Sequence, residues 1–125
     1  MAVAVKPVTN LGRSGLSDWL IQRVSAVIIA VYTLVMVGYL LMHSDLSYVQ
    51  WAALHQQFWV RLLTLLTVLA IAAHAWIGIW AVLTDYVTVR LMGPIATPLR
   101  MVLMLFSIAS IFACVVWAID ILWGV

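Results

Sequence analysis

The stretch LLTLLTVLAIAAHAWIGIWAVLT, from Leu62 to Thr84, carries no formal charge and one imidazole, His74, near its centre. A helix needs roughly 20 apolar residues to cross about 30 Å of hydrocarbon, so the run is of membrane length. Two further uncharged runs, Val24 to Met42 and Met101 to Ile119, meet the same requirement. The chain therefore reads as an all-α membrane protein. Three transmembrane helices are expected over about 20–42, 58–86 and 97–122, within one transmembrane domain covering 1–125.

Composition agrees with a membrane as the solvent. Apolar residues make up 67% of the sequence, charged residues only 8%, and mean hydropathy is +1.20. These values lie far outside the range of water-soluble domains. A pI near 9.0 raises the question of nucleic acid, but the 6 Lys and Arg are scattered singly near segment ends. They form no phosphate-binding patch, which excludes a nucleic-acid partner. The lone Cys114 lies inside an apolar run, so the sequence holds neither a disulfide framework nor a C-x-x-C motif. Both links, His43 to Arg61 and Asp85 to Arg100, are too short to form a domain. Gly93, Pro94 and Pro98 punctuate the second. The first apolar run is longer than a signal-peptide core and reads as a retained helix.

Basic residues set the expected orientation. Lys6, Arg13 and Arg23 precede or open the first span, and Arg90 and Arg100 lie in the second link. The first link has none until Arg61, at its far end. The positive-inside rule then places the N-terminus and the second link in the cytoplasm, with the C-terminus outside. Trp19, Trp51, Trp59 and Trp123 fall near the expected helix ends, as interfacial anchors do.

One face of the second span is unusual. Asp85 follows His74 by eleven residues, which at 100° and 1.5 Å per residue places it only about 20° round the helix and some 16 Å farther along. Gly78 and Ala81 lie between them on that stripe, and Ala70 is one turn before His74. Small residues admit the close approach of either another helix backbone or a flat cofactor.

An imidazole in the bilayer interior is expensive unless it has a partner. One reading is a hydrogen bond to a Ser, Thr or carbonyl of a neighbouring helix. The other is a transition-metal ligand, a role neutral imidazole takes readily, including as an axial ligand of haem iron. His43 and His55 fall in the first link and read as solvated, so a bis-histidine haem would draw its second ligand from another polypeptide. Asp85 reads as a water-exposed carboxylate or as one paired with a cation that offsets the helix macrodipole. Arg23 is a candidate for that cation. Lipid phosphate or a haem propionate would also satisfy its guanidinium.

The run HAWIGIWAVLTDYV, His74 to Val87, resembles a signature of the hydrophobic membrane anchor subunit of bacterial succinate dehydrogenase, the small subunit of cytochrome b556 in respiratory complex II. LGRSGLSDWLIQRVSAV (Leu11 to Val27), MVGYL (Met36 to Leu40) and the terminal WGV (Trp123 to Val125) resemble the same family. The likeness spans nearly the whole chain. It implies three helices packed with a second anchor, the larger cytochrome b556 subunit, around haem b. The iron-sulfur subunit and the flavoprotein subunit would complete the complex, at a bacterial inner membrane.

The resemblance also implies roles. His74 would be an axial ligand of haem b, with the second histidine supplied by the partner anchor. Tyr86 would hydrogen-bond a carbonyl oxygen of ubiquinone, Asp85 would stand beside that quinone site, and Arg23 would lie near the haem propionates. Such a chain is not catalytic alone. Two other classes remain at this level: a small proton-coupled transporter, for which no inverted repeat is visible, and a purely structural assembly anchor.

Overall fold

The computed structural model describes residues 15–124, so Lys6 and Arg13 of the topology argument, Leu11 to Ser14, and Val125 lie outside the described residues. Three long helices carry the apolar runs: α1 (Gly15–Met42), α3 (Phe58–Tyr86) and α5 (Ala96–Trp123). Each is long and apolar enough to span a membrane. Two short helices stand in the links, α2 (Tyr48–Gln56) and α4 (Val89–Met92), the latter followed by a 3-10 turn over Gly93–Ile95.

The first link is thus more ordered than an irregular connection. Ser47 caps α2 by accepting the Gln50 N–H at 3.3 Å, while the Gln50 side chain accepts the Ser47 N–H at 3.0 Å. This reciprocal pair is written in the sequence as S-x-x-Q and satisfies two amides that a helix start otherwise leaves open. Gln57, extended at ψ 133°, separates α2 from α3 by a single residue. In the second link Gly93 takes φ +73°, a left-handed conformation suited to a residue without a Cβ. Pro94 then opens the 3-10 turn. Pro98 sits in the first turn of α5, where its missing N–H removes no helical bond.

Helix α3 is the centre of the bundle, packed against α1 on one side and α5 on the other. Both seams are antiparallel. Along α1 and α3, Ser25 meets His74 while Tyr32 meets Thr64. Along α3 and α5, a small apolar cluster joins Leu83 and Val87 to Ala96, with Ile79, Leu99, Leu103 and Met104 packed around it. Ala96 is only 1% exposed, at the point where the second link turns back into α5.

Little else is buried. Leu34, Leu41, Phe106, Phe112 and Trp117 are among many large apolar side chains left exposed. In water such a surface would aggregate, whereas lipid tails and neighbouring membrane subunits cover it at no cost.

Candidate functional site

Polar residues recur along the inner face of α1 at Asp18, Gln22, Ser25 and Tyr32, offsets of 4, 7 and 14 that keep one face of a helix. Thr64, Thr67 and His74 form the answering set on α3. Where these faces meet, His74 is half-buried and bonded to α1 through both ring nitrogens. Its Nδ1 lies 3.1 Å from Ser25 Oγ, and its Nε2 lies 3.4 Å from Gln22 Nε2. Ser25 is 4% exposed, the most buried residue of α1.

The small residues of α3 divide between two tasks. Ala70 is 6% exposed, and Thr67, buried beside it, returns its hydroxyl to the Leu63 carbonyl at 2.8 Å. Both lie where α1 approaches. Gly78 and Ala81 instead line an open groove of about 430 Å³ that His74 shares with Asp18, Trp19, Gln22, Arg23, Ala26 and Ile77. A Cβ built on Gly78 would meet nothing within 4 Å, so the space beside it is free. The small residues therefore receive a helix on one side of the imidazole and leave open space on the other.

Arg23 reaches this groove from α1. Its guanidinium lies 5.2 Å over the Trp19 ring, a cation–π contact that the i, i+4 spacing sets up. It does not pair with Asp85. That candidate ion pair is absent among the described residues: Arg23 stands at the level of His74 and Gly78, whereas Asp85 lies eleven residues past His74, about 16 Å farther along α3. Asp85 and Tyr86 end α3 outside the groove, both exposed, Tyr86 at 67%. The last turn of α3 contains no basic residue. Thr84 satisfies part of it by donating to the carbonyls of Trp80 at 2.8 Å and Ala81 at 3.1 Å.

The other histidines lie at the opposite end. His43 is exposed, stacks on Tyr39 and bonds the Tyr39 carbonyl at 2.9 Å. His55 is half-buried rather than solvated: it lies against Trp51 and bonds the Trp51 carbonyl at 2.9 Å. With Tyr48 and Arg61 it lines a recess of about 480 Å³. Size does not make that recess the functional centre, because its polar groups sit at helix ends, where water and lipid headgroups reach them. The imidazole inside α3 is the group whose burial demands a partner. Among the described residues no three His, Cys, Asp or Glu side chains gather as a metal site, so His74 can offer only one ligand.

Sequence reasoning placed His74 and Arg23 on the right helices and missed Gln22 and Ser25. Their signal was available in the periodic polar positions of α1.

Residues 3–116 match the family of succinate dehydrogenase/fumarate reductase transmembrane subunits. The chain belongs to that family. It is also 34% identical over 116 residues to a succinate dehydrogenase hydrophobic membrane anchor subunit of Coxiella burnetii, covering 93% of this chain and 95% of that protein. As a succinate dehydrogenase membrane anchor, the chain is a multi-pass membrane component of an oxidoreductase complex and is not catalytic alone. Its partners are the other subunits of that complex and the bilayer itself. The open groove beside His74 and the exposed end of α3 are surfaces that the other subunits or the bilayer can cover.

Proposed function

We propose that this membrane anchor supplies His74 as one axial ligand of a haem b shared with the larger cytochrome b556 anchor, and that Asp85 and Tyr86 form part of the ubiquinone reduction site. One observation carries the reading: the groove where His74 and Arg23 meet beside the free space at Gly78. The donor set fits the group. Imidazole nitrogen is an iron ligand, guanidinium is a propionate partner, and small residues make room for a flat macrocycle. When bound, haem b adds a one-electron redox centre between the two anchors.

Quinone chemistry belongs at the end of α3. Twelve residues separate His74 from Tyr86, about 18 Å along a helix. Electrons from succinate oxidation in the flavoprotein, passed through the iron-sulfur protein of the complex, reduce ubiquinone there. Reduction to the quinol consumes two electrons and two protons. The Tyr86 hydroxyl donates a hydrogen bond to a quinone carbonyl oxygen and stabilises the negative charge that develops on it. Asp85, at the water boundary, orients the site or supplies protons. The surplus of Arg23, Arg90 and Arg100 at this end, against Arg61 at the other, supports a cytoplasmic location for it. The membrane is then the bacterial inner membrane, with the N-terminus cytoplasmic and the C-terminus periplasmic.

A second reading has its own support, since Ser25 and Gln22 already satisfy His74 within the chain: the imidazole would then be a structural polar contact of an assembly anchor. A reduced-minus-oxidised visible spectrum of the purified complex separates the two. A b-type signal lost in His74→Ala is the expected result. A wild-type signal in that variant overturns haem ligation by His74.

A further inference from the structure

The hydrogen bonds around His74 fix more than its position. A serine hydroxyl has one proton, and a backbone carbonyl can only accept. Ser25 Oγ lies 3.1 Å from the Gln22 carbonyl and gives its proton there. With that proton on the carbonyl, Oγ is free to accept at its 3.1 Å contact with His74 Nδ1, the arrangement in which the ring hydrogen sits on Nδ1. A neutral imidazole with Nδ1–H has its lone pair on Nε2. The Gln22 side-chain amide stands on that side at 3.4 Å from Nε2. Gln22 lines the groove together with His74.

We infer that Ser25 is the positioning residue of His74: its hydroxyl, locked onto its own helix, accepts the Nδ1–H and holds the ring in the tautomer that turns the Nε2 lone pair toward the groove. The inference rests on the haem reading of that groove and names what prepares the ligand. Metal-bound histidines typically give their second N–H to an acceptor, which orients the ring and raises its basicity. Here the acceptor is a serine of another helix, itself buried and fixed by its bond to the Gln22 carbonyl. The bond also crosses the α1–α3 seam, so the approach of the two helices and the orientation of the ligand are set by one contact.

The test uses the intact complex, all its subunits present, with Ser25→Ala, Ser25→Cys and Ser25→Thr, read by haem content, haem midpoint potential and the low-temperature electron paramagnetic resonance of the oxidised haem. Ser25→Ala removes the acceptor, so haem affinity falls about 10- to 100-fold. The potential rises, because a less basic imidazole stabilises ferric iron less, and the resonance positions move. Ser25→Cys keeps a weak acceptor and shifts the potential the same way by less. If Ser25→Ala fails to assemble, Ser25→Cys decides. Ser25→Thr keeps the hydroxyl and restores wild-type values. Wild-type potential and resonance in the Ala or Cys variant overturn the inference, as does a Thr variant that behaves like Ala. His74→Ala is the control: wild-type haem there sinks the haem reading, whereas haem lost there but unchanged in the Ser25 variants sinks only the role of Ser25.

Discussion

The two seams of the central helix are built by opposite means. Where α3 meets α1, polar side chains bridge the gap: Ser25 and Gln22 to His74, and Tyr32 to Thr64 at 2.8 Å. Where α3 meets α5, the packed cluster is apolar, with Leu83 and Val87 closing on Ala96 and Ser107 returning its hydroxyl to the Leu103 carbonyl of its own helix, while at the far end the Arg61 guanidinium lies 5.9 Å over the Trp123 ring. In lipid neither seam gains from the hydrophobic effect, so shape complementarity holds one and hydrogen bonds specify the other. The difference teaches where chemistry sits. An apolar cluster can repack, whereas paired donors and acceptors impose one register and one ring orientation.

The largest effect is expected at the polar seam. His74→Ala should remove the b-type haem signal altogether while the three helices still insert, because every other membrane-spanning residue is unchanged. Retention of the signal, measured spectroscopically per complex, would break the functional side of the comparison.

Next comes Ala96→Leu at the apolar seam. At 1% exposure Ala96 has no room for a larger side chain. Overpacking there should cost about 1–3 kcal/mol, read as a lower temperature for dissociation of the detergent-solubilised complex, with the spectrum of any assembled complex unaltered. A changed spectrum would show that the seams are not independent.

Tyr86→Phe tests the exposed end of α3, which belongs to neither seam. Loss of a hydrogen bond to a developing oxyanion should lower kcat for ubiquinone reduction on the order of 10²-fold, with haem content intact. Unchanged quinone reductase kinetics would remove Tyr86 from the site.

The smallest effect is predicted for Tyr32→Phe, which deletes one interhelical hydrogen bond from the polar seam. Such bonds average about 0.6 kcal/mol between membrane helices, so thermal stability should fall slightly and neither the haem spectrum nor quinone kinetics should move. A large loss would mean that the polar seam carries stability as well as orientation.

Much of this was legible without coordinates. Charge-free runs gave the three spans, since their length and apolarity follow from the thickness of the bilayer. His74 stood out because its burial needs a partner, and the S-x-x-Q at Ser47 to Gln50 announced α2 even though the first link reads as a plain connection. Less visible was the tie between His74 and Ser25. A serine in an apolar helix ordinarily bonds its own backbone, as Ser25 also does, so nothing local tells which serine reaches a second helix. The pairing of Arg23 with Asp85 failed for a related reason: charge sign suggested it, but the register of the two helices sets Arg23 beside His74 and Gly78, well short of Asp85.

The sequence by itself determined that the chain lives in a membrane, crosses it three times and carries an imidazole at mid-depth, because bilayer thickness, charge and helical period act along the chain. Only the tertiary structure decided which small residues of α3 receive a helix and which leave a groove, and which residues of α1 meet the two ring nitrogens of His74. Those depend on the register of α1 against α3, a relation between residues 49 positions apart at Ser25 and His74, which no local pattern fixes.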